Sequence, residues 1–182
     1  ADARSKWVDA THNISCVMTG FNYSSDGWMK DADGNTVLRV SGDARVEIPY
    51  KPFERDFKSY GKTIEIELAT SAVRDYEAVI MSCFDKDRGF YITPQIAKLK
   101  SQQTELQTQY KENDHVRLTF VIEKNVESRI IYMYINGIAS GAIQYPADDT
   151  FRQLTPKTIT IGSNDAAVDI YNIRVYDNNL TR

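Results

Sequence analysis

The chain has 182 residues, a formal net charge of −3, 42 % hydrophobic and 26 % charged residues, the ordinary make-up of a globular domain long enough to bury roughly 70 % of its unfolded surface. Lys and Arg are interleaved with Asp and Glu instead of forming one basic stretch, which argues against a nucleic-acid footprint. No apolar run reaches the length of a membrane span and no basic-then-apolar leader is present, which argues against membrane insertion.

In chain order, residues 1–13 form a polar lead-in or edge segment that carries Trp7 and Val8. Residues 14–21 alternate loosely and are expected to pair with the C-terminal strands. Ser24, Ser25, Asp26 and Gly27 make a turn, Trp28 and Met29 follow, and Asp33-Gly34 gives a hairpin turn into a return strand at 36–40. After a turn at 41–43 comes a strand at 44–50, then a Pro52-led connection over 51–60.

The clearest period-2 pattern is 63–70, with Ile64, Ile66 and Leu68 inward and Thr63, Glu65, Glu67 and Ala69 outward. The apolar run 78–84 reads as a strand buried on both faces, and 85–89 as a charged turn into a strand at 90–93. Residues 94–112 are open between a thin helical stripe on Leu99, Leu106 and Tyr110 and a strand pattern on Thr104, Leu106 and Thr108.

A strand at 115–123 sets Val116, Leu118, Phe120 and Ile122 on one face. Strands at 129–135 and 138–143 flank Asn136-Gly137. A polar loop covers 145–156. The last two strands, around Ile159 and Ile161 and over 168–176, are separated by Gly162, Ser163, Asn164 and Asp165 and read as a closing hairpin that Asp177, Asn178 and Asn179 stop. Together these segments make about twelve to fourteen short strands. Eleven tyrosines and seven phenylalanines suit such a chain. Cys16 and Cys83 are too few for a disulfide framework; a single bridge and two buried thiols both fit, and thiols in strands are preferred.

Three segments carry a family resemblance: GDARVEIPY at 42–50, IYMYINGIASGAI at 131–143, and a C-terminal pattern on Thr160, Ile161, Gly162, Ile170, Ile173, Arg174, Val175, Tyr176, Leu180 and Thr181. In this order they resemble the laminin-G-like, concanavalin A-like jelly rolls, over about 21–181. The resemblance implies an all-β, two-sheet antiparallel jelly-roll sandwich. It implies one domain over 1–182, cut from a longer protein, and short strands in 94–112.

Within the family the chain looks most like versions in bacteriophage tail or bacterial surface proteins. The expected function is therefore a non-catalytic recognition or adhesion module, virion-borne or at an extracellular surface. Its partners would be a glycan or host cell-surface component and other subunits or domains of the parent assembly. The alternatives are a purely structural tail domain without a small ligand and a glycoside hydrolase. The fold does not choose among them.

Three constellations could carry chemistry. Jelly-roll glucanases place carboxylates at alternating positions of one strand, and Glu65 and Glu67 sit two apart, a separation of about 6.6 Å. Thr63 stands where their nucleophile would be, and a hydroxyl without a base is a poor substitute, so the pair reads as glutamates on a solvated strand face. For calcium, Asp31, Asp33 and Asn35 are weak candidates and Asp85 with Asp87 a second pair. Neither loop supplies the roughly six to eight oxygens needed, and Asp and Asn are common turn residues, so no cofactor is expected. For a sugar, Trp28, Tyr91, Asp85, Asp87, Arg88 and Gln95, with Glu65 and Glu67, are the candidate ligand set, because glycans need an aromatic platform beside polar groups. Core packing is the competing reading for Trp28 and Tyr91. His12 and His115 have no Ser or Cys at a recognisable spacing, and His115 reads as structural.

Overall fold

The computed structural model describes residues 6–9, 14–49, 61–85, 88–100, 104–124, 128–146 and 158–176. Among them are fourteen strands and no helix: β1 (Val17–Thr19), β2 (Gly27–Lys30), β3 (Thr36–Val40), β4 (Arg45–Ile48), β5 (Gly61–Ser71), β6 (Met81–Asp85) and β7 (Arg88–Ile92) come first. They are followed by β8 (Ile96–Lys100), β9 (Glu105–Gln109), β10 (Val116–Lys124), β11 (Ser128–Ile135), β12 (Ile138–Pro146), β13 (Ile159–Ile161) and β14 (Ala167–Tyr176). They build two seven-stranded antiparallel sheets, β1-β4-β13-β6-β7-β8-β9 and β12-β11-β10-β5-β14-β3-β2. This is the all-β jelly-roll sandwich.

The period-2 pattern decides what fills the space between the sheets. Leu38, Ile64, Ile66, Leu68, Leu118, Phe120, Ile131, Met133 and Val168 enter from the second sheet; Val46, Met81, Cys83, Phe90, Ile92, Leu99, Ile159 and Ile161 enter from the first. Phe90 of β7 and Phe120 of β10 stack across the middle, with ring centroids 4.9 Å apart. Residues 94–112 form strands because Leu99 and Leu106 then lie directly opposite each other on the inward side. Leu106 also reaches across to β12, where a Cβ on Gly141 would lie 2.7 Å from its Cδ1. That contact closes one side of the sandwich.

Several expectations are corrected. The last two strands are not a hairpin: β13 pairs with β4 and β6 in the first sheet, and β14 pairs with β3 and β5 in the second. The link 162–166 carries the chain from one sheet to the other, and its length is ample to cross a sheet spacing of about 10 Å. The ten-residue β14 matches the eleven-residue β5 in length and pairs along nearly all of it, whereas the three-residue β13 could cover only a short part of β14. β1 pairs with β4 rather than with either closing strand. Before it, Val8 makes only an isolated bridge to Ser15.

The apolar run 78–84 is not buried throughout. Val79 is exposed before β6 begins, and the Ser82 hydroxyl shares a 3.0 Å hydrogen bond with that of Thr160 on the outer face. Neither cysteine is in a disulfide. Cys83 lies in β6, where burial pushes its thiol up to about 12. Cys16 lies outside the strands, and burial followed by Asp9 raises it to about 11. The connection expected over 51–60 and the stop at 177–179 lie outside the described residues, as does the 147–156 part of the polar loop.

Candidate functional site: the outer face of the second sheet

Strand register assembles a polar cluster on the solvent side of β10, β5 and β14. Thr119 and Arg174 lie opposite Glu65 from either side, and Arg117 and Asn172 lie opposite Glu67. All face outward because their neighbours Ile64, Ile66 and Leu118 point into the core. A bulge between Ile170 and Asn172 inserts Tyr171 into β14 and re-aims it over His115. Their rings stack at 4.0 Å and 13°.

Glu67 is the hub. Its Oε1 accepts hydrogen bonds from Arg174 Nη1 at 3.0 Å and Arg117 Nε at 3.1 Å, and its Oε2 lies 3.6 Å from His115 Nε2. Arg174 Nη1 is also 3.8 Å from Glu65 Oε2, which accepts from the Tyr176 hydroxyl at 3.2 Å. The glutamate side chains are only 10 % (Glu65) and 14 % (Glu67) exposed, whereas those of Arg117 and Arg174 are 43 % and 42 % exposed. Negative charge is thus sunk into the sheet and positive charge is held at its surface. Burial pushes the Glu67 carboxyl up, but Arg174 and Arg117 together outweigh it and hold it below its ordinary value. Burial and then Asp31 push the Tyr171 phenol up to about 12, so it remains a neutral donor, at 3.0 Å from Asp31 Oδ2.

Next to the cluster, Asp169 takes both Nε and Nη2 of Arg39 at 2.7 Å, a bidentate strut between β14 and β3. The arginines of the cluster are differently used. Arg117 is tied through Nε and Arg174 through Nη1, and among the described residues the Nη1 and Nη2 atoms of Arg117 have no partner. That edge of a guanidinium matches the two oxygens of a carboxylate.

Only part of the ligand set expected from sequence meets here. Glu65 and Glu67 do, though as a buried and a half-buried anchor and not as a solvated face. Trp28 lies on the edge strand β2, opposite the core residue Leu38 and edge-to-face with Trp7 at 6.1 Å, and it stays exposed at the sandwich rim. Tyr91 is on the first sheet, opposite Ser82 and Lys98, with Lys98 Nζ 5.4 Å from its ring centroid. Asp85 and Arg88 are paired at the end of the β6–β7 hairpin of that same first sheet, and Asp87 lies outside the described residues. Gln95 sits before β8, its carbonyl accepting from the Tyr110 amide at 2.9 Å. Trp28 and Tyr91 therefore belong to different sheets.

The candidate calcium loop is organised around Asp31 as a turn. Its Oδ1 accepts from the amides of Asp33 and Asn35 at 3.0 and 2.7 Å, and its Oδ2 from Asn35 Nδ2 and the Tyr171 hydroxyl, both at 3.0 Å. Hydrogen donors converge on the carboxylate, where a cation would need oxygens. Among the described residues no group of three His, Cys, Asp or Glu side chains could hold a metal ion. On the same strand Thr63, at the position of the glucanase nucleophile, is fully buried, and the arginines hold the Glu67 carboxyl below its ordinary value, where a general acid needs a raised one.

Sequence reasoning placed none of Arg117, Arg174, His115, Tyr171 and Tyr176 in a binding site. Alternation does mark Arg117 and Arg174 as outward residues, but joining them to Glu67 takes the β10–β5–β14 register.

No protein-family model matches the sequence, and no curated protein matches it. Solved structures do share the fold. The binding domain of botulinum neurotoxin DC, in complex with SialylT, superposes with a TM-score of 0.65 and 15 % identity, over 97 % of this chain and 48 % of that one. The chain thus spans about half the length of the neurotoxin domain it matches. The CBM40 of the Ruminococcus gnavus IT-sialidase, bound to α2,6 sialyllactose, gives 0.51 at 14 % identity, over 80 % of this chain and 92 % of that one. The alginate lyase Aly36B, as a double mutant in complex with alginate trisaccharide, gives 0.50 at 10 % identity, over 91 % of this chain and 88 % of that one. At these identities the likeness is one of fold.

Proposed function

We propose that the chain is a non-catalytic recognition module that binds an acidic glycan on the outer face of the second sheet. The observation that carries this reading is the Arg117–Arg174 pair. Both guanidiniums are fixed to one oxygen of Glu67, and both stay more than two-fifths exposed. A ligand carboxylate meets donors whose positions are already set, which lowers the ordering cost of binding. Tyr176, Tyr171, Thr119 and Asn172 surround the pair with groups that can bond sugar hydroxyls. Among the structural neighbours one is a complex with SialylT, one with sialyllactose and one with an alginate trisaccharide, which supports a glycan as partner. A cell-surface or virion-borne setting is part of the proposal and rests on the sequence resemblance alone.

Calorimetry with α2,6 sialyllactose and with lactose tests it. Sialyllactose should bind, and lactose at least about tenfold more weakly, because only the former carries a carboxylate. Arg174→Ala should weaken sialyllactose about 10- to 100-fold, the worth of a charged hydrogen bond. Equal affinity for the two sugars would remove the acidic specificity. A folded protein that binds neither sugar, nor any glycan on an array, would leave the structural-domain reading.

A further inference from the structure

One strand beyond Arg117, β11 carries two tyrosines that the arginine cluster does not use. Ile131 and Met133 are fully buried, so Tyr132 and Tyr134 between and after them stand on the outer face, both partly exposed. Their cross-strand neighbours are small or β-branched. Tyr134 lies between Thr119 on β10 and Ala139 on β12, and Tyr132 between Val121 and Ala142. Among the described residues no large side chain lies directly opposite either tyrosine, and the Tyr132 phenol is held by a hydrogen bond with the Glu123 carboxylate, which leaves the ring faces and the Tyr134 hydroxyl to meet a ligand. Tyr134 shares a row with the ion pair of the site, in the order Tyr134, Thr119, Glu65, Arg174. Two strand spacings, about 10 Å, separate it from Glu65 along that row.

We propose that Tyr132 and Tyr134 form a second subsite, an aromatic platform for a neutral sugar ring linked to the acidic sugar at the arginines. The inference rests on the reading that the arginine face binds an acidic glycan. A pyranose has one face of C–H groups and a rim of hydroxyls; the first packs on a tyrosine ring and the second reaches its phenol. The Ala139 and Ala142 flank leaves room for a ring to settle against the tyrosines instead of being held off by bulk. The ligand would then be at least a disaccharide, acidic at the β5–β14 end and neutral at the β11 end.

The test compares the methyl glycoside of sialic acid with sialyllactose, by calorimetry on the whole chain. Wild type should bind the trisaccharide about tenfold more tightly than the monosaccharide. A Tyr132→Ala/Tyr134→Ala double variant should abolish that gain and keep the monosaccharide affinity within about twofold. Tyr132→Leu/Tyr134→Leu keeps apolar bulk without the ring faces and should behave alike, which covers the case in which the alanines disturb the strand. Monosaccharide and trisaccharide binding equally to wild type would overturn the subsite and leave the acidic-glycan reading standing. A leucine variant that retains the gain would also overturn it. Failure of both sugars to bind wild type would sink the subsite together with the reading beneath it.

Discussion

Glu67 shows how one side chain can serve structure and recognition together. It could have been a catalytic carboxylate, yet two guanidiniums on a single oxygen make it a positioning group that fixes where Arg117 and Arg174 present their charge. Its lowered pKa sets a sign. The folded value lies below the unfolded one, about 4.3, so its stabilising contribution is complete above that range and is lost as pH falls through the lowered value. Glu67→Gln should therefore cost about 1 kcal/mol near neutral pH, a modest figure because both arginine partners are partly solvated. Denaturation midpoints of the two proteins should converge as pH falls below the ordinary glutamate value of about 4.3. A difference that stays constant with pH would show that the ion pairs do not contribute.

At the scale of the element, the link from β13 to β14 turns what looks like a hairpin into a crossing between sheets. Gly162 begins it at φ +123°, in a region that L side chains rarely adopt. A Cβ there would lie 2.5 Å from the Ala44 carbonyl oxygen, and the Gly162 amide donates to the Ile80 carbonyl at 2.8 Å. Gly162→Ala should cost about 2–3 kcal/mol by chemical denaturation. Gly34, at φ +84° in the β2–β3 turn, has open space where its Cβ would go. Gly34→Ala should cost about 1 kcal/mol, the conformational part alone. Equal costs would mean that the close approach to Ala44 relaxes freely.

For the whole molecule, the stack of Phe90 on Phe120 joins the two sheets at the centre of the core. Neither ring has any surface in water. Phe120→Ala should destabilise by about 3–5 kcal/mol, the transfer of a large ring plus the cavity it leaves. The loss should appear as one cooperative transition by circular dichroism and tyrosine fluorescence, because both sheets rest on the same cluster. Separate transitions would mean that the sheets are held independently.

Much of this protein follows from local chemistry that a sequence displays. Residues such as Ile64, Ile66 and Leu68, or Val116, Leu118 and Phe120, declare by their period which side of a strand is dry, and Asp33-Gly34 and Asn136-Gly137 declare where the chain reverses. From these the all-β class and most strand positions were legible; the jelly-roll likeness came from the family resemblance of 42–50, 131–143 and the C-terminal pattern. The outward orientation of Glu65 and Glu67 was legible too, though not their burial. Alternation gives a side chain its face but not its neighbour. Which strands lie side by side depends on pairings between residues as far apart as Glu67 and Arg174, and these depend on strand length and on how much apolar surface each arrangement buries. For that reason tertiary structure alone sent β13 and β14 to different sheets, parted Trp28 from Tyr91, and brought two arginines on separate strands to one half-buried glutamate.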